Sequence, residues 1–220
     1  PGMSGARASR RLKPADLVRR FETGERVPFY LLYGEEDYER DRAAAWLAAR
    51  LEPAVGRDFN LDMLRAPDTS PRAVLETYNT YPLMAPHRLV VLRECEQLSA
   101  DACRELEALV ERPMDSSVLV AVGGKIDLRR RLFQRLAAVG WAVEFATPYA
   151  DRLPQWIRNQ ARRAGAAIEP AAADTLALLV GRNLRELAAE IDKAMTFVGP
   201  GGTITTQVVR SLAGADGQTN

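Results

Sequence analysis

From Phe29 onward the chain alternates short apolar runs with segments of helical periodicity. Phe29-Tyr-Leu-Leu-Tyr-Gly34 reads as a strand ending in a glycine turn, and Asp37 to Leu51 follows with Ala43, Ala44, Leu47 and Leu51 on one helical face. Phe59 to Leu64 is the second predicted strand. Pro71 to Tyr78 is a helix opened by Thr69 or Ser70 near its N-cap. Arg88-Leu-Val-Val-Leu-Arg93 reads as a buried strand. Ser99 caps a helix carrying Leu106, Leu109 and Val110 that Pro113 terminates, and Ser117-Val-Leu-Val-Ala-Val-Gly123 is a further apolar strand. A helix from Leu128 to Val139 and a strand from Ala142 to Ala146 complete the series. Strands alternating with helices predict an α/β fold, a parallel five-stranded sheet covered on both faces.

At Pro148 the pattern changes. Only helical periodicity is evident from there to Leu212: Pro154 to Ala164, Ala171 to Val180, Asn183 to Val198, and a short last helix from Thr205 after the Gly199 to Gly202 turn. Asn183 and Glu186 have capping-box spacing, and Leu184, Leu187, Ala188, Ile191, Ala194, Met195 and Val198 form one stripe. Trp156 and Ile157, just after Pro154, read as core. The expected organisation is an N-terminal arm and helix over 1–26, with Pro14 at the helix start and Leu17, Val18 and Phe21 on its apolar face. An α/β domain over 27–148, an all-helical domain over 149–213 and a polar tail over 214–220 follow. Pro1 and Gly2 before Met3 resemble a cloning remnant.

Composition adds exclusions. The 220 residues are 47% hydrophobic and 27% charged, with 30 Lys and Arg against 29 Asp and Glu, a formal net charge of +1. Folding a chain of this size buries roughly 70% of the unfolded surface, and net charge alone does not call for a polyanionic partner. No apolar run reaches the 18 residues of a membrane span, and no secretory h-region follows the basic start. Cys95 and Cys103 are too few for a disulfide framework and, with the lone His87, fit no standard zinc spacing, so a reduced, cytoplasmic protein is expected.

A strand, a glycine turn and a helix are the setting for phosphate loops, because helix N-terminal amides point at the anion. Gly34, however, is followed by Glu35, Glu36, Asp37, Tyr38, Glu39, Arg40 and Asp41, with no second glycine and no lysine. Five carboxylates against one arginine oppose a triphosphate. At the end of the third strand Arg93 stands where a metal-holding carboxylate is expected, with Glu94 beside it. His87, between Pro86 and Arg88, has no nucleophile motif to serve and reads as a residue at the head of a strand. No intrinsic catalysis and no cofactor are expected.

Several segments together resemble the DNA polymerase III delta subunits, the clamp-opening members of bacterial clamp loaders. They are Phe29-Tyr-Leu-Leu-Tyr-Gly-Glu-Glu36, Pro82-Leu-Met-Ala-Pro-His-Arg-Leu-Val-Val-Leu-Arg93, Gly124-Lys-Ile-Asp-Leu-Arg-Arg-Arg-Leu132, Leu153-Pro-Gln-Trp-Ile157 and Val180-Gly-Arg-Asn-Leu-Arg-Glu-Leu187 continuing to Glu190 and Lys193. Their order spans about residues 27 to 213. The resemblance implies an AAA+-like domain without nucleotide-binding residues, a three-helix lid and then a helical collar. The chain stops where the collar is expected to begin, as in a truncated piece or a divergent short homologue. Implied partners are the sliding clamp (the beta subunit), the delta prime and tau/gamma loader subunits and, indirectly, primed DNA.

In that family an apolar pair before the third strand plugs a pocket on the clamp, and the match places Leu83 and Met84 there. Pro82 and Pro86 bracket the pair and stiffen it, and burying both side chains contributes about 3 to 6 kcal/mol before association costs. The alternative is that both fold inward. Met84 stands where the family usually has Phe, exchanging a ring for a flexible thioether. Tyr81 and His87 are candidate rim contacts. Two other functions are consistent with the residues: a divergent ATPase using the turn at Gly34, and a DNA-binding scaffold. The scaffold would use the basic arm, where Arg7 to Arg20 holds six basic residues and one acid, and the basic stretch Lys125, Arg129, Arg130, Arg131 and Arg135, with Lys125, Arg129 and Arg130 as candidate phosphate contacts.

Overall fold

The computed structural model describes residues 12–52 and 56–216. The expectations for residues 7–11 of the basic arm, for Pro1 to Met3 and for 217–220 of the tail lie outside the described residues. Two compact units divide between Ala146 and Thr147.

In the first unit, strands β1 (Phe29–Tyr33), β2 (Leu61–Arg65), β3 (Arg88–Arg93), β4 (Ser117–Gly123) and β5 (Trp141–Glu144) form a parallel sheet in the order β2-β3-β4-β1-β5. The apolar runs are continuous because both faces are covered. Phe29, Leu31, Tyr33, Val90, Leu92, Leu119 and Ala121 pack on one side against helices α4 (Pro71–Tyr78), α5 (Ala100–Glu111) and α6 (Arg131–Val139). Tyr30, Leu32, Leu89, Val91, Val120, Val122 and Val143 face the other side, against α1 (Pro14–Glu22) and α2 (Asp37–Leu51). Alternate residues of each strand thus serve opposite cores. The first helix, expected as part of a separate N-terminal segment, belongs to this unit. Leu17 and Phe21 are buried in its core, and Leu12 N–H donates to Ala142 O at 2.8 Å on the β5 edge.

The caps follow local chemistry. Ser70 Oγ accepts from Ala73 N–H and Ser99 Oγ from Ala102 N–H, which ends the choice between Thr69 and Ser70. The second strand starts later than expected. Gly56 adopts φ +70° and opens a one-turn helix, α3 (Arg57–Asn60), so Phe59 and Asn60 stand before β2. The sixth helix also starts later, at Arg131, because Asp127 to Arg130 forms a turn with Arg130 N–H on Asp127 O.

The second unit corrects the expectation of helices alone. It holds α7 (Leu153–Arg163), α8 (Pro170–Val180), α9 (Leu184–Val198) and α10 (Thr206–Asp216), four helices, and a parallel pair of two-residue strands, β6 (Ala167–Ile168) and β7 (Thr203–Ile204). Segments this short leave no periodicity to read. The last helix runs through 214–216, which the sequence assigns to the tail. Asn183 Oδ1 accepts from Arg185 and Glu186 N–H, but Glu186 answers on the Asn183 side-chain amide instead of its backbone, so the cap is half a capping box. Ile157 is fully buried and Trp156 half-buried.

Candidate partner-binding site

The segment between α4 and β3 carries the apolar pair, and the structure turns both side chains outward. Leu83 is 52% exposed, Met84 84% and Tyr81 78%. Solvent exposure of this order in a stiff loop is unfavourable for the isolated protein, and it is not a local accident of flexibility. Three buried or half-buried polar side chains hold the segment in place.

The first is Asn60, which is fully buried. Its Oδ1 accepts from Leu83 N–H at 2.7 Å and its Nδ2 donates to Leu83 O at 2.9 Å, pairing with Leu83 as one peptide unit pairs with another; Nδ2 also donates to Gly56 O at 2.8 Å. A side chain at Gly56 would intrude here, since its Cβ would lie 2.9 Å from Asn60 Nδ2 and 3.1 Å from Leu83 O. The second is Arg88, buried at the head of β3. It ion-pairs with Asp62 and donates to Phe59 O at 2.7 Å and Thr80 O at 3.2 Å. The third is His87, whose Nε2 donates to Leu51 O at 2.5 Å. His87 was a candidate rim contact, but its ring nitrogen is engaged with the domain's own backbone. Tyr81 does stand free at the surface, and Phe59, on the same one-turn helix as Asn60, is a further exposed aromatic at 63%.

Held at Leu83, the backbone enters the left-handed region at Met84, with φ +54°. For a non-glycine residue this conformation costs roughly 1–2 kcal/mol. It directs the most exposed apolar side chain of the loop into solvent.

The backbone of the glycine turn after β1 is engaged by the protein's own hydrogen bonds. Gly34 N–H donates to Gly124 O at 2.9 Å, Glu36 N–H to Phe145 O at 3.0 Å, and Arg40 donates to Gly34 O at 2.6 Å. Gly34 is required for this closeness: at φ +133° a Cβ would lie 2.1 Å from Phe145 O. Glu36 is 6% exposed and its carboxylate accepts from Tyr38 N–H at 3.0 Å, so an internal acid sits on the first turn of α2, where a phosphate would sit. Burial raises its pKa above the ordinary carboxylate value; the amides of Tyr38 and Glu39 act in the opposite sense. At the end of β3, Arg93 donates to Asp41 Oδ1 at 2.9 Å and Glu94 is bound by Arg65 at 2.7 Å, a bond that lowers the Glu94 pKa. Among the described residues no group of three His, Cys, Asp or Glu is placed to hold a metal. Cys95 and Cys103 are both buried, and burial drives the Cys95 thiol well above its ordinary value.

The basic stretch does not form one stripe on a helix. Lys125, Arg129 and Arg130 all precede α6. Lys125 faces Glu35 at 3.4 Å, Arg129 turns back on Asp127 at 2.9 Å, and Arg130 points inward to Leu98 O at 2.5 Å. Arg131 and Arg135 reach Glu107 and Glu111 on α5. Lys125, Arg129 and Arg131 remain largely exposed, whereas Arg130 and Arg135 are drawn against the domain, so the cations are spread over a turn and a helix and do not line one helical face.

Of the candidate residues, Leu83, Met84 and Tyr81 come together on one exposed loop. Asn60 and Arg88 were not singled out by sequence reasoning. Their only signal was polarity out of place, an asparagine and an arginine directly preceding apolar strand residues.

A model of the family described as DNA polymerase III, delta subunit matches residues 30–145, more than half of the chain. The DNA polymerase III subunit delta of Bacillus subtilis is 26% identical over 207 residues, which is 90% of this chain and 60% of that protein. Among solved structures, the Bacillus subtilis DNA clamp loader delta protein matches with a TM-score of 0.68 and 25% identity, over 90% of this chain and 62% of that one. The Thermotoga maritima RuvB Holliday junction branch migration motor shares the fold at 16% identity, with a TM-score of 0.56 over 90% of this chain and 65% of its own. The chain thus spans about three fifths of the length of its delta relatives. A five-stranded parallel sheet in the described order, a helical second unit and a family match from Tyr30 to Phe145 lead to one assignment: the chain belongs to the DNA polymerase III delta subunit family.

Proposed function

We propose that this chain supplies the clamp-binding part of a clamp loader: Leu83 and Met84 enter an apolar pocket on the sliding clamp, and their seating favours an opened clamp for loading onto primed DNA. The observation that carries the reading is an apolar pair exposed on a loop whose backbone is fixed from beneath by a buried asparagine. A preformed plug loses little conformational entropy on docking, so more of its burial energy is retained as affinity. Chemistry is left to neighbouring loader subunits, in keeping with Glu36 standing at the helix N-terminus where a nucleotide phosphate would sit. Delta prime and tau/gamma subunits are the proposed assembly partners, and the cytoplasm the proposed location. Among the described residues no helix is long and apolar enough to cross a membrane.

Calorimetric titration of the cognate clamp tests this. Leu83→Ala with Met84→Ala is expected to weaken binding by two orders of magnitude or more. Burying the exposed half of Leu83 and most of Met84 is worth about 3 kcal/mol, roughly a hundredfold in Kd. Affinity within twofold of the unsubstituted protein would refute the plug.

A further inference from the structure

We infer that Asn60 is the positioning residue of the clamp-binding loop: through its side-chain amide it fixes the Leu83 peptide and so sets the outward pose of Leu83 and Met84. The inference rests on the clamp-binding reading above and adds to it the residue that makes the plug preformed.

Asn60 has the right chemistry for this. An amide side chain offers one acceptor and two donors, and here each is matched: Oδ1 to Leu83 N–H, Nδ2 to Leu83 O and to Gly56 O, all within 2.7 to 2.9 Å. Aspartate of the same shape would retain the acceptor and set a charge against two carbonyl oxygens. Leucine would keep the volume and lose all three bonds. The contact joins residues 23 positions apart, so it is a tertiary constraint and not a feature of the turn's own sequence. It also lies immediately before the strained step. With both polar groups of Leu83 fixed, the chain continues toward Ala85 and Pro86 through the left-handed conformation at Met84. Gly56 completes the device, because any side chain there would press on the Asn60 amide and on Leu83 O. The remaining anchors, Arg88 on Thr80 O and His87 on Leu51 O, hold the ends of the segment but touch neither plug residue's backbone. Among the described residues, Asn60 alone hydrogen-bonds to the backbone of the plug.

The test combines amide hydrogen exchange with calorimetry on the whole chain and its cognate clamp. In Asn60→Ala, Leu83 N–H loses its acceptor, and its exchange is expected to accelerate at least tenfold while Val90 and Leu92 in the sheet keep their protection, which reports an intact fold. Clamp affinity is expected to fall about tenfold with both plug side chains still present. The effect should shrink to less than threefold when Asn60→Ala is placed in a Leu83→Ala background, because a positioning residue has less to position there; a merely structural residue would give an additive loss. Should Asn60→Ala also unprotect the sheet, Gly56→Ala provides the second variant, pressing on the same contact with Asn60 in place, and the same accelerated Leu83 exchange and weakened binding are expected. Unchanged Leu83 exchange in the variant would overturn the inference. So would lost protection with unchanged clamp affinity, provided Leu83→Ala with Met84→Ala still weakens binding. If that double change leaves affinity intact, the clamp reading fails on its own, and the Leu83 exchange rate still decides whether Asn60 holds the loop.

Discussion

Replacing Arg88 by methionine would remove the guanidinium while keeping an apolar stem of similar reach. The Arg88 side chain is 10% exposed and serves three partners: Asp62, Phe59 O and Thr80 O. Two bonds to uncharged carbonyl oxygens at about 1 kcal/mol each and one to a carboxylate at about 2 kcal/mol give a figure near 4 kcal/mol. Asp62 keeps 31% of its side-chain exposure and can return to water, so the charged contribution is discounted by about half and the expected loss is about 3 kcal/mol. Urea unfolding followed by the fluorescence of Trp46 and Trp141, both in the first unit, should show the midpoint falling by that equivalent at unchanged slope. Adding Asp62→Leu should recover part of the loss, because an ion pair replaced as a whole leaves no carboxylate without a partner. A loss below 1 kcal/mol for Arg88→Met would refute the view that this buried cation ties the start of the loop to the sheet.

Two further outcomes concern the closed glycine turn. Gly34→Ala sets a methyl 2.1 Å from Phe145 O at a backbone angle L-residues avoid, so a loss of about 3 kcal/mol or more is expected in thermal or urea unfolding; near-wild-type stability would contradict the described closeness. Glu36→Gln tests the internal acid through pH. Burial raises the folded-state pKa of Glu36 above the ordinary 4.5, so between 4.5 and the raised value the folded protein holds a proton that the unfolded chain has released. The contribution of Glu36 to stability therefore declines as pH rises through that window and stays reduced above it. Glutamine removes this decline, and the difference in stability between variant and wild type should grow in the variant's favour from pH 4 to pH 7; parallel curves would sink the argument.

Much of the α/β unit is legible in the chain because its inner strands are buried on both faces and two of its helices, α4 and α5, start at serines. Runs such as Leu89 to Leu92 and Val118 to Val122 leave no other reading, and Ser70 and Ser99 cap where they stand. The pair Leu83 and Met84 was singled out only through family resemblance, since periodicity assigns no face to a loop between two prolines. What supports the pair was not legible at all. Asn60 sits in a segment whose apolar neighbours suggest a strand from Phe59, and only the left-handed Gly56 turns that segment into the short helix that aims the amide at Leu83. The partners of the basic stretch were hidden for a related reason: charge along the sequence does not reveal Glu107 and Glu111 on the adjacent helix, or the carbonyl of Leu98 that draws Arg130 inward.

The most direct check on the account is a hydrogen-exchange footprint of the chain with and without its cognate clamp. Clamp-dependent protection centred on residues 81 to 85, with the turn at Gly34 to Glu36 unaffected, is the expected result. Protection confined to other surfaces, with the Leu83 and Met84 amides exchanging at their free rates, would contradict it.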